Sequence, residues 1–286
     1  DTAQRIRHCG VFRLRGLSRH WRASEVSVTQ RTLFFCARYR KGESNMSEVV
    51  SKSRPAIHQC LIRYFAEKER GSVLDVPAGY GYLSEQLQEL GYQVTAGEIE
   101  PAIFKAGNVR CIYADLNRRI EAPDQSFDYI CCVEGLEHMT DPYTAVAELS
   151  RVLKTGGTGI FSIPNYSSME KRLSFFWRGI LSKSRTLEDY RKAGNLYNFH
   201  NSLPTITILN FMFEVNGLKL KDILVDRVKK KQRLFYPLYL LMKIDSLFQS
   251  RDRRVKYGTN LTLDKRVILG SNTLILVVEK LPPSER

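Results

Sequence analysis

Glu134, Glu137 and His138, in the run "EGLEH", place two carboxylates and an imidazole directly behind the apolar stretch "FDYICCV". An imidazole titrates near neutral pH, so His138 has the chemistry of a general base that takes a proton from a hydroxyl, with Glu137 beside it. The plainer use of Glu137 and His138 is to cap or orient the segment that follows, and the residues alone leave both uses open. Upstream, "VLDVPAGYGYLSEQL" at 73–87 runs from a buried strand through a glycine loop into a helix. Asp75 stands near the strand end and Ala78 in the loop. Gly79 and Gly81 permit positive φ and close backbone approach, so the helix can turn its free N–H groups toward a ligand. The next strand ends in "AGEIEP", which places Glu98 23 positions after Asp75. There an acidic side chain accepts hydrogen bonds from both hydroxyls of a ribose, and Ile99 follows it. Without a ligand, the two glycines make a tight turn and Glu98 is a solvated carboxylate. Pro77 takes the first place where such loops carry glycine and removes one N–H donor. A dinucleotide reading meets Ser84 where a pyrophosphate loop wants glycine or alanine.

These groups need rigid elements to hold them, and the pattern supplies an alternation of strands and helices. Strand "VLDV" is followed by helix "YLSEQLQELG", strand "YQVTAGEI", a short helix near "PAIFKAG", strand "VRCIYAD" and strand "FDYICCV". Helix "PYTAVAELSRVLK", a "TGG" turn and strand "TGIFSIP" continue the rhythm. An aromatic-rich stretch then breaks it, before helix "PTITILNFMFEVNG" and strands "LKLKDILV" and "NTLILVVEK" restore it. Elements of this length in this order predict an α/β fold with a parallel sheet covered on both faces, its ligands lying beyond the carboxyl ends of the strands.

The net charge of +14 is concentrated in two segments. Residues 1–45 hold 10 Lys+Arg against 3 Asp+Glu, and residues 221–260 hold 11 against 4, whereas residues 46–220 hold 19 against 20. A nearly neutral body argues against a general nucleic-acid surface. Residues 1–45 read as a basic, disordered extension, with Met46 as a natural start, and the rival reading is a basic arm for nucleic acid or anionic lipid. Six cysteines without a C-x-x-C pair suggest reduced thiols in a cytoplasmic protein, and no apolar stretch is long enough to span a bilayer. In residues 229–256, Leu240, Leu241, Ile244, Leu247 and Phe248 share one helix face between basic clusters. Such a helix either packs on the domain or gives peripheral contact with an anionic membrane.

The stretches "VLDVPAGYG", "VTAGEIEP", "YADLN", "FDYICCVEGLEH" and "ELSRVLKTGGTGIFSIPN", in this order and at this spacing, resemble the successive motifs of class I S-adenosylmethionine-dependent methyltransferases, the ubiquinone-type O-methyltransferases among them. The resemblance covers roughly residues 55–225. It implies a Rossmann-like, mostly parallel seven-stranded sheet with helices on both faces, plus a helical substrate cover at 166–201, within a domain of residues 46–286. It implies S-adenosyl-L-methionine as cofactor, with Asp75, Gly79 and Gly81 at its methionine side and Glu98 on the ribose. Asp115 would contact the adenine amino group, with Leu116 beside the ring, and Val133 and Glu134 would close the site. Tyr166, Trp177 and His200 are the expected acceptor contacts, although packing is the default for aromatic residues there. E-x-x-E-H also resembles the metal-binding cluster of some ubiquinone-type and RNA 2′-O-methyltransferases; no metal is assigned, magnesium being the ion such oxygen ligands would suit. The function implied is methyl transfer to a small-molecule, glycan-like or lipid-linked acceptor at oxygen. RNA methylation and a non-catalytic cofactor-binding domain are the alternatives, and the oligomeric state stays open.

Overall fold

The computed structural model describes residues 53–183, 185–227 and 229–285, so the expected extension at 1–45 lies outside the described residues. Seven strands form one sheet: β1 Ser72–Asp75, β2 Gln93–Glu98, β3 Arg110–Tyr113, β4 Phe127–Val133, β5 Leu153–Pro164, β6 Leu218–Leu224 and β7 Thr273–Lys280. Their order is β3-β2-β1-β4-β5-β7-β6. The first five run parallel, while β7 lies antiparallel between β5 and β6. This is the mostly parallel seven-stranded sheet that the alternating pattern and the motifs imply.

The helices are α1 Pro55–Ala66, α2 Tyr82–Glu89, α3 Pro142–Val152, α4 Met169–Arg178, α5 Leu187–Ala193, α6 Ile206–Val215, α7 Tyr236–Leu247, α8 Arg251–Lys256, α9 Thr259–Thr262 and α10 Lys265–Ile268. The segment near "PAIFKAG" is a single 3-10 turn, Pro101–Ile103, because Phe104 returns to an extended conformation.

Side chains alternate across each strand and both faces are buried, which explains why the strand sequences read as continuous apolar runs. Leu74, Ile130, Phe161 and Leu276 pack with Val146 and Leu149 of α3 and Leu209 and Phe213 of α6. Val73, Cys131, Ile160 and Val277, one position out of phase, are buried as well. On that second face, Phe65 of α1 meets Tyr92 and Tyr129 edge-on at 5.2 and 5.4 Å. A buried lysine ties α3 to the sheet: Lys280 Nζ donates to the carbonyls of Ser150 and Leu153 at 2.6 and 2.7 Å.

Strand order reverses between β1 and β4, so the loops leaving these two strands splay apart and open a crevice at their carboxyl ends. The loop after β1 depends on Gly81, which has φ +93 and caps α2. A Cβ there would lie 2.6 Å from the Phe104 ring and 2.8 Å from Ala106. Gly81→Ala is therefore expected to lower the unfolding free energy by about 1–3 kcal/mol, read by urea denaturation, through combined backbone strain and overpacking. A variant as stable as the parent would show that the loop has no such constraint.

Candidate active site

The crevice is built by carboxylates that the sheet brings to adjacent strand ends. Asp75, last residue of β1, is buried and accepts a 2.6 Å hydrogen bond from Ser84 Oγ of α2. Burial pushes its carboxyl up to about 7; the Ser84 bond opposes that rise and the neighbouring Glu98 adds to it. Glu98, last residue of β2, accepts the Gly79 N–H at 2.7 Å through Oε2 and the Ile99 N–H at 3.1 Å through Oε1. A carboxylate has about four lone-pair positions, so Glu98 holds the glycine loop and keeps capacity for ligand hydroxyls. Asp115, just beyond β3, accepts from the backbone and side chain of Asn117 at 2.9 and 3.2 Å and pairs with Arg118 at 3.3 Å.

Pro77 leaves this arrangement intact. Ala78 N–H donates to the Gly97 carbonyl at 2.9 Å, so the loop stays anchored to β2 just past the proline. The proline ring packs toward β4: a Cβ on Gly135 would lie 2.5 Å from Pro77 Cδ, so glycine is needed there for the two loops to approach.

One cavity of about 440 Å³ joins these groups. Asp75, Ala78, Gly79, Glu98 and Ile99 line one side, Asp115 and Leu116 one end, and Val133, Glu134 and His138 the wall opposite. Gly81 is absent from the cavity wall, and its missing side chain makes room for Phe104 and Ala106. Trp177 departs further from expectation. It is 81% exposed at the last turn of α4, beyond the contacts that Met169 and Leu173 make with the protein, and it is absent from the cavity wall.

The end of β4 carries strain. Glu134 has φ +48, a left-handed conformation costing a non-glycine residue of order 1 kcal/mol, and its N–H is held by the Ser162 carbonyl at 2.9 Å. The turn that follows separates the two glutamates: Glu134 faces the cavity, whereas Glu137 points inward and is 1% exposed. Burial raises the Glu137 carboxyl to about 8, with Glu134 contributing, and its Oε2 finds no hydrogen-bond partner among the described residues. The Glu137 carbonyl accepts the N–H groups of Asn201 and Ser202 at 2.7 and 3.1 Å, which clamps the segment ahead of α6 onto this turn.

That clamp brings His200 to His138, their rings edge-on at 5.1 Å. His138 Nδ1 lies 3.0 Å from the Phe199 carbonyl, which can only accept, so Nδ1 carries the proton and Nε2 its lone pair. Burial lowers the His138 pKa, keeping the ring neutral near pH 7. His200 Nδ1 meets the Tyr166 hydroxyl at 2.8 Å. Burial first, then the charges of His138, Arg185 and Lys171, lower His200 to about 4. Tyr166 and His200 thus stand behind His138, off the cavity wall. Glu137, His138 and His200 each offer one ligand atom within 4.8 Å of the others, a set able to hold a metal ion. The orphaned Glu137 oxygen fits such a role, and one carboxylate with two imidazoles suits a transition metal better than magnesium.

Asn195, Tyr197 and Asn198 from the loop after α5, and His58 from α1, also line the cavity. Tyr197 is one of the aromatic residues of the 166–201 stretch that could stack on an acceptor, whereas Asn195, Asn198 and His58 are not legible as site residues in the sequence. The only local signal was their place in "GNLYNFH", beside His200; His58 sits in an amphipathic helix with nothing to mark it.

The family described as "Methyltransferase domain" matches residues 74–161, which span β1 to β5 and contain the loop, the carboxylates and the E-x-x-E-H turn. Over this span the chain is similar to methyltransferase domains. The chain is 34% identical over 102 residues to the ubiquinone biosynthesis O-methyltransferases of Xanthomonas campestris pv. campestris and Xanthomonas oryzae pv. oryzae. The match covers 32% of this chain and 43% of each relative. Among solved structures, it resembles a SAM-dependent methyltransferase from Archaeoglobus fulgidus at TM-score 0.51 and 18% identity, covering 86% of this chain and 99% of that one. A protein from Pyrococcus horikoshii matches at TM-score 0.51 and 17% identity, over 85% and 98%. At these identities the likeness concerns the fold.

The raised Asp75 carboxyl gives the protein a pH signature. Between the group's ordinary 3.8 and about 7, the folded protein holds a proton that the unfolded chain releases. The associated stability is therefore present at low pH and lost as pH rises through 7. Asp75→Asn keeps an acceptor for Ser84 and abolishes the titration. Denaturation of the ligand-free protein across this range is expected to show a flatter pH profile for the variant; superimposable profiles would contradict the assignment.

Proposed function

We propose that this methyltransferase transfers a methyl group to a hydroxyl oxygen of a small-molecule acceptor, with His138 receiving the proton. Bound S-adenosylmethionine supplies an electrophilic methyl group on a sulfonium, so the chain's own residues mainly position the partners and manage one proton. Asp75 and Gly79 take the methionine end, Glu98 the ribose hydroxyls, and Asp115 with Leu116 the adenine. Glu134 and Val133 form the wall against which the acceptor is set. Asn195, Tyr197 and Asn198 of the cover reach the cavity from the side of His138 and meet the acceptor there.

The observation that carries this reading is the His138 tautomer: a ring on the cavity wall whose Nδ1 donates to the Phe199 carbonyl, with the Tyr197 backbone also beside the ring, so that the lone pair is carried on Nε2. His200 and Tyr166 act as positioning residues behind it. The Xanthomonas relatives are O-methyltransferases of ubiquinone biosynthesis, in agreement with an oxygen acceptor. Cytoplasmic residence belongs to the same reading, supported by the free thiols of Cys60, Cys111, Cys131 and Cys132. A second reading rests on the converging ligand atoms of Glu137, His138 and His200. An ion held by these three would supply Lewis-acid activation of the acceptor hydroxyl.

Incubation of the protein with methyl-labelled S-adenosylmethionine and small-molecule extracts identifies the acceptor. His138→Gln is then expected to lower kcat by about 100-fold or more with little change in KM for the cofactor, the loss typical of a missing general base. Full turnover by the variant would sink the base assignment. Activity that vanishes on exhaustive chelation and returns with added metal would select the second reading.

Glu98 is tested apart from turnover. Removal of a charged acceptor that serves both loop and ribose is expected to weaken S-adenosylmethionine binding by roughly tenfold or more in Glu98→Ala, measured by calorimetry, with a smaller loss in Glu98→Gln. Unchanged affinity in Glu98→Ala removes the ribose role.

A further inference from the structure

Helix α7 turns its larger apolar face away from the protein. Leu240, Leu241, Ile244, Leu247 and Phe248 recur at helical spacing and all five are exposed, Leu247 by 74% and Phe248 by 87%. The face toward the protein is narrower. Tyr239 and Met242, with Phe235 ahead of the helix, pack on Met169, Leu263, Ile268 and Leu269, and Ser246 is buried. Helix α4 rests on the same small core through Met169 and Leu173, and its Arg172 shares a groove with Leu241. One turn beyond Arg172, Phe175, Phe176 and Trp177 are exposed as well. Large apolar side chains gathered in this way mark an interaction surface.

Charge indicates what the surface meets. Residues 229–256 hold nine Lys+Arg against two Asp+Glu. Lys230, Lys231 and Arg233 stand exposed before α7, and Arg251, Arg253 and Lys256 stand exposed on α8 after it. Lys229 is paired with Glu170 at 2.6 Å and belongs to the α4 contact instead. With twelve residues α7 is too short to cross a bilayer, and no helix among the described residues is long and apolar enough to do so.

We propose that α7 and its basic flanks dock this protein on an anionic lipid bilayer, the helix lying in the plane of the interface with its exposed leucines and Phe248 among the acyl chains. A bilayer offers an apolar layer beneath a sheet of negative charge, so it satisfies the helix face and the cations at both its ends together. Trp177 and its neighbours at the tip of α4 suit the headgroup boundary, where aromatic residues collect. The inference goes beyond the acceptor reading and does not depend on it, because docking is measured without turnover.

The test is sedimentation of the full chain with vesicles of equimolar phosphatidylcholine and phosphatidylglycerol, and with phosphatidylcholine alone. Partition into the anionic pellet is expected to exceed that with phosphatidylcholine by about tenfold. The double variant Leu247→Ser with Phe248→Ser, at two highly exposed positions, is expected to lose roughly tenfold of that partition. Lys230→Glu with Lys231→Glu is expected to lose a similar share and to leave S-adenosylmethionine affinity unchanged. The proposal fails if the parent stays in the supernatant, or if the Leu247/Phe248 variant pellets as well as the parent, which would reduce the contact to charge alone. It also fails if the parent is a dimer that this variant converts to monomer, since a second copy would then own the face.

Discussion

The hydrogen bond from the Gly79 N–H to the Glu98 carboxylate, 2.7 Å long, joins the glycine loop of β1 to the end of β2, and the cavity takes its shape from it. A buried carboxylate is costly unless its oxygens are satisfied. Glu98 meets that cost with two backbone donors and retains acceptor capacity on the cavity side. The same bond explains why a proline is tolerated early in the loop. The donor that matters sits two residues later, and Pro77 instead packs where Gly135 lets β1 and β4 loops converge.

The second half of the site follows from one strained turn. Glu134 in a left-handed conformation ends β4, and the 3-10 turn behind it sends Glu137 inward and leaves His138 at the cavity. The Glu137 carbonyl then gathers the chain at Asn201 and Ser202, so His200, 62 positions away in sequence, is delivered beside His138. Backbone strain, an orphaned carboxyl oxygen and two neutral imidazoles in one place are expensive to assemble for packing alone. That concentration of cost is the physical argument for chemistry at this turn.

The elements that surround this site divide by exposure. Helices α1, α2, α3 and α6 bury their apolar faces on the sheet, whereas α7 and the tip of α4 present theirs to the outside. The difference lies in what they pack against: a seven-stranded sheet in one case, and in the other a core of a few side chains around Met169 and Leu269. A core that small cannot cover five large residues on one helix.

The sequence by itself determined the sheet, the loop and the carboxylates at its edge. Apolar runs between glycine and proline boundaries are local signals, and Asp75, Glu98 and Asp115 each close or follow a strand, so parallel pairing gathers them at one edge of the sheet. Tertiary structure alone decided which nominated residues meet. Gly81 makes room for Phe104 and Ala106, Trp177 points outward, and Asn198 and His58 reach the cavity, because each outcome depends on how a loop or helix packs across the sheet. The direction of α7 belongs to the same class. Helical periodicity shows that a helix has an apolar face, but the area available to cover that face is a property of the folded neighbours, and no short window of residues contains it.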